Sequence, residues 1–155
     1  MNPAQHSPVA ILSSELELAR QLQECLRQEQ AELVRADVAA LAQTAGRKSG
    51  IVDRMNLLAQ SRMQAVAAAG HAGTEAGMLA WLAAQDDATR ADWQALLAAA
   101  AAGKELNRTN GLLIHQHLSR NQAGLQVLRG GGQPAVYGRD GQQNVRTAGR
   151  SFVAG

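Results

Sequence analysis

The residues able to do chemistry are few and poorly grouped. His115 and His117 form an H-x-H pair. Residues two apart on a helix point to different faces, so the pair is badly placed to share one metal ion. No cysteine or carboxylate cluster stands beside them, and His6 and His71 are isolated. Cys25, the single cysteine, lies close to an apolar stripe and reads as a buried thiol rather than a nucleophile. Lys48, Arg62 and Arg108 could gather around a dianionic substrate, provided a carboxylate or amide stood nearby. A cation snorkelling at the edge of a helix interface explains Lys48 and Arg62 equally well. No nucleophile elbow, Walker loop, dinucleotide fingerprint or zinc spacing occurs. The glycine triplet Gly130 to Gly132 follows a helical pattern instead of opening one, unlike a phosphate cradle. The sequence therefore implies no catalytic residue, no metal and no cofactor.

Residues suited to recognition are more prominent. From Trp93, steps of four and three give Leu97, Ala100, Lys104, Asn107, Gly111, Ile114, Leu118, Asn121, Leu125 and Leu128. That spacing keeps one seam on one face of a supercoiled helix, apolar at both ends and polar in the middle. A buried asparagine in such a seam fixes register; the functional alternative is a section left under-packed for a partner helix to enter. Gly111, beside Asn110, lets another backbone approach or marks a kink. The single tyrosine, Tyr137, and the single phenylalanine, Phe152, both lie beyond Gly130. Aromatic anchors outside the core suit contacts with other proteins.

The elements that must carry these residues are helical. Hydrophobic residues make up 46% and aromatics only 3%, so the core is built from Ala and Leu, which favours helices over a sheet. Ser7-Pro8 starts a first helix with Leu12, Leu16, Ala19, Leu22, Leu26 and Leu33 at helical spacing. A second series follows: Val38, Leu41, Ala45, Lys48, Val52, Met55, Ala59, Arg62, Val66 and Ala69. The break between them is placed at Ala36-Asp37, with Asp37 as cap; the rival break is Gly46 to Gly50. Gly70 to Gly73 reads as a loop, Thr74 caps a short helix over Glu75–Ala84, and Asp86-Asp87 precede the long helix from Thr89 to Leu128. That helix would be about 60 Å long at 1.5 Å per residue. Residues 130–155 hold seven glycines and no apolar period, and are expected to be disordered when free. The expected fold is all-α: an elongated antiparallel coiled-coil-like bundle of three long helices and one short one. It divides into a bundle over 1–129 and a flexible tail over 130–155.

Charge excludes some partners. The formal net charge is +2, too small to argue for nucleic acid or a membrane, and no aromatics interleave with the basic residues. Residues 9–45 carry six acids and three arginines, whereas Arg47, Lys48, Arg54 and Arg62 face only Asp53 across 46–72. Complementary helix faces explain this segregation. The most apolar window, Ala95 to Ala102, is eight residues, far short of the ~20 a membrane span needs. No secretory signal is visible, so a cytoplasmic protein is expected.

Two motifs carry a family resemblance. Asn107-Arg108-Thr109-Asn110-Gly111, followed by a Leu-rich helix to Leu128, and the tail Val136-Tyr137-Gly138-Arg139-Asp140-Gly141 resemble the FlgN family of flagellar type III export chaperones. Leu26, Glu29, Leu33, Asp37, Leu41, Lys48, Leu58 and Arg62 follow that family's spaced pattern as well, so the likeness covers 10–141. The resemblance implies a cytoplasmic chaperone for the hook–filament junction proteins FlgK and FlgL. It implies that their helical C-terminal segments bind at Asn107, Asn110, Gly111, Ile114, Leu118, Asn121, Leu125 and Leu128. It further implies docking on the export gate protein FlhA through Val136, Tyr137, Gly138, Asp140 and Gly141. Two other classes stand beside it. One is a small all-helical enzyme resembling chorismate mutase, with Lys48, Arg62 and Arg108 as inward cations. The other is a structural coiled-coil subunit, which a stable homo-oligomer would reveal.

Overall fold

The computed structural model describes residues 7–130, which form four helices. α1 spans Pro8–Arg35, α2 Val38–Ala68, α3 Glu75–Ala83 and α4 Asp87–Gly130. Three long helices and a short one are as expected. α4 runs through the expected boundary at 129/130 to Gly130, and the rest of the expected disordered tail, from residue 131, lies outside the described residues. The chain divides into two units, one through Gln116 and one from His117.

Local chemistry sets each boundary. The Ser7 hydroxyl accepts from the Ala10 amide at 3.2 Å, and Pro8 occupies the first turn, where it loses no hydrogen bond. α1 stops at Ala36, which adopts the left-handed region at φ 55° while its amide and that of Asp37 bond back to Leu33 and Glu32 carbonyls. Asp37 caps α2 through the Ala40 amide at 3.1 Å, so the break falls at Ala36-Asp37, and α2 runs unbroken through Gly46 and Gly50. Gly70, at φ 90°, turns the chain out of α2. Thr74 caps α3 through the Gly77 amide. A side chain at Gly77 would put its Cβ 1.7 Å from the Ala72 carbonyl oxygen, so only glycine fits there. Asp86 caps α4 through the Thr89 amide at 2.8 Å.

In the unit ending at Gln116, α1 and α2 run antiparallel, as the pairs Glu15–Arg62 and Glu29–Lys48 require. α4 runs parallel to α1: Gln23 donates to the Ala99 carbonyl and Asn110 to that of Leu26. The main core joins Leu12, Leu16 and Ala19 of α1, Val66 of α2, Met78, Trp81 and Leu82 of α3, and Trp93, Leu96 and Ala99 of α4. α3 thus caps one end of the helical layer. A second cluster, Leu18, Cys25 and Ile51, packs α1 on α2 along another side.

The α1 stripe lies where its spacing puts it, but the other two long helices are rotated from expectation. On α4 the inward line passes from Trp93 to Leu96, Ala99, Gly103 and Asn110, with Leu106 and Leu113 half-buried between and beyond. Leu97, Ala100, Lys104, Asn107, Gly111 and Ile114 stand one residue off that line and are exposed. The cause is the apolar run Ala95 to Ala102, in which either register looks inward. On α2, Val38 and Ala45 are exposed while Thr44 and Ile51 are buried; the two registers merge again toward Arg62 and Val66.

Candidate partner-binding surface

The site is best built from what α4 uses for folding and what it leaves over. Asn110 is used. Its side chain is 1% exposed, and its amide donates to the Leu26 carbonyl at 2.9 Å and to Glu29 Oε2 at 2.7 Å. Glu29 Oε1 accepts from Lys48 Nζ at 2.6 Å, so one carboxylate ties α4 to α2 through α1. Glu32, equally buried, accepts from Gln28 and from the Thr44 hydroxyl on one oxygen. Asn110, which the resemblance assigns to cargo binding, is thus buried in the bundle, where it fixes register.

A second buried pair holds the α3 end. Arg62 Nε lies 2.6 Å from Glu15 Oε2, and its guanidinium carbon sits 4.9 Å from the Trp93 ring centroid. Burial pushes the Glu15 carboxyl above its ordinary value, and the hydrogen bond and charge of Arg62 pull it partly back. The spacing offers a signal for these pairs: Glu15 and Glu29 are fourteen residues apart on α1, as are Lys48 and Arg62 on α2. The sequence reading of complementary helix faces did not single out these two pairs.

These pairs also settle the fate of the three cations an enzyme of chorismate-mutase type would gather. Lys48 is held by Glu29, Arg62 by Glu15, and Arg108 by Glu105 on the exposed face of α4. Each is neutralised where it stands, and no shared anion site results. Among the described residues, no group of three His, Cys, Asp or Glu could hold a metal ion, and no helix is long and apolar enough to cross a membrane.

What α4 leaves over is apolar. In the first unit, Asn107 and Gly111 are exposed, Leu112 is 52% exposed and Ile114 42%. In the unit from His117, the described helix exposes Leu118, Leu125, Val127 and Leu128, by 54–76%. Steps of three and four put Leu118, Asn121, Leu125 and Leu128 on one face of that helix. Leu112 and Val127 were not singled out by the seam; they lie off its spacing. Nearby Arg120 and Arg129 have no carboxylate within ion-pair distance among the described residues. Val136, Tyr137, Gly138, Asp140 and Gly141 lie outside the described residues.

Comparison with known proteins finds relatives named for flagella synthesis. The flagella synthesis protein FlgN of Salmonella typhimurium (strain LT2) is 36% identical over 62 residues, which is 40% of this chain and 44% of that protein. The flagella synthesis protein FlgN of Proteus mirabilis is 46% identical over 52 residues, 34% of this chain and 32% of that protein. The chain thus spans less than half the length of the curated relatives it matches. No solved structure matches it significantly. The family model described as FlgN protein, however, matches residues 1–144, nearly the whole chain, and the protein belongs to the FlgN family.

Proposed function

We propose that this protein is a non-enzymatic export chaperone of flagellum assembly in the cytoplasm. It binds the helical C-terminal segments of the junction proteins FlgK and FlgL, keeps them soluble, and delivers them to the export gate by docking on FlhA. The carrying observation is the helix from His117 to Gly130, on which leucines stand exposed on one face, near arginines with no ion pair among the described residues. A folded protein gains nothing by leaving such a face bare, and exposed apolar patches mark interaction sites. An amphipathic helix from a client can lay its own apolar stripe there, read through anchors three and four residues apart. Family membership and the names of the relatives point to flagellar synthesis as the setting.

Calorimetry of the full chain with a synthetic C-terminal segment of FlgK tests this reading. Leu118→Ala and Leu125→Ala are expected to weaken binding by about tenfold each or more, an effect of ~1.4 kcal/mol. Leu79→Ala, at an equally exposed leucine of α3, is expected to leave binding unchanged. Equal losses in all three variants, or no binding by the native chain, would remove the proposal. For the gate, Tyr137→Ala is expected to weaken FlhA binding while FlgK-segment affinity stays as it was.

A further inference from the structure

Sequence spacing and packing disagree on α2 and α4 in the same sense, and the disagreement has a location. Ala45 and Val52 of α2, and Lys104 and Asn107 of α4, belong to regular series of three and four yet do not face α1. They line one groove between the two helices, of about 470 Å³, floored by Leu22 and Leu26 of α1. The same faces continue along each helix, to Leu41 and Val38 on α2 and to Gly111 and Ile114 on α4. An apolar stripe on α2 and a mixed wall on α4, the latter ending in Ile114, flank one trough in which a further helix can seat.

The volume falls in the range of small-molecule sites, roughly 300–1,000 Å³, but its polar side chains are divided between the two walls, Lys48 and Ser49 on α2 and Lys104 and Asn107 on α4. Lys48 is already committed to Glu29, and Ser49 is the only hydroxyl on the lining. Charge selects the occupant. No acid lines the groove, and Lys104 on its rim has no carboxylate within ion-pair distance among the described residues. A second copy of this chain is a poor match. Its acidic helix α1 has already buried its apolar stripe, Leu12, Leu16, Ala19 and Leu26, inside its own bundle.

We propose that the groove between α2 and α4 seats one amphipathic helix of a protein partner, with small apolar residues against Ala45 and Val52 and a carboxylate at Lys104. The inference rests on the reading of the protein as a helix-binding chaperone, and it adds a second seat, in the unit ending at Gln116, with a stated preference for acidic helices.

The test uses the full chain and two synthetic amphipathic peptides with one shared Leu/Ala stripe, one flanked by glutamates and the other by lysines. Fluorescence anisotropy is expected to show saturable binding of the acidic peptide and at least about tenfold weaker binding of the basic one. Lys104→Glu is expected to narrow or reverse that preference. Ala45→Trp, which fills the groove from an exposed position, and Val52→Asp are each expected to reduce acidic-peptide binding about tenfold or more with circular dichroism unchanged. Equal affinity for both peptides, binding indifferent to Ala45→Trp and Val52→Asp, or self-association lost in those variants in place of peptide binding would overturn the groove assignment. Parallel titration with the FlgK segment separates the two claims. Native binding of that segment, with acidic-peptide binding undiminished by the groove variants, overturns the groove alone. No native binding of the segment removes the chaperone reading.

Discussion

A carboxylate and a guanidinium buried together are costly to hold and costlier to separate. Glu15→Ala strands the Arg62 guanidinium against Trp93 and is expected to cost about 3 kcal/mol in urea denaturation, while Glu15→Leu with Arg62→Leu is expected to recover most of it. The pair also gives stability a pH dependence of definite sign. Because burial raises the Glu15 carboxyl, its contribution is full below about pH 4.3, the ordinary glutamate value, and is lost as pH rises through the folded value. Native stability measured against Glu15→Gln is therefore expected to fall across that window. Asn110→Ala is expected to cost ~1–3 kcal/mol, since it removes two buried hydrogen bonds, and to leave FlgK-segment affinity unchanged in the folded variant. A large affinity loss with full stability would return Asn110 to the partner surface.

The helices show why some of this was legible beforehand and some was not. The α1 stripe and its caps were readable because Leu12, Leu16, Ala19, Leu26 and Leu33 recur at helical spacing, with mostly polar residues between them. The break at Asp37 was readable from its capping chemistry, even with two glycines competing downstream. Those glycines meet nothing within 4 Å of an added Cβ, so Gly46→Ala and Gly50→Ala are each expected to stabilise α2 by ~1 kcal/mol in thermal denaturation. Gly77→Ala is expected to do the opposite, because its Cβ would strike the Ala72 backbone. The register of α4 was not readable: from Ala95 to Ala102 every face is apolar, and only contact with α1 decides that Leu96 goes in and Leu97 stays out. Nor did the burial of Glu29 and Glu32 follow from composition, since a glutamate turns inward only when Lys48, Thr44 and Asn110 wait for it.

At the scale of the molecule, the core and the exposed leucines proposed for FlgK-segment binding come from different parts of one chain. Both core clusters draw only on residues from Leu12 to Ala99, whereas Leu112, Leu118, Leu125 and Leu128 of α4 stand exposed beyond them. Deleting residues 131–155 is accordingly expected to leave helicity and the thermal midpoint unchanged by circular dichroism. Under the proposed function, such a chaperone keeps its fold with its client absent, and the proposed client surface remains free to engage and release. The most direct test of that claim is amide hydrogen exchange on the full chain with and without a saturating FlgK C-terminal segment. Slowed exchange over residues 118–128 of α4, with α3 unaffected, is the result expected; unchanged exchange over 118–128 while the segment is bound would contradict the account.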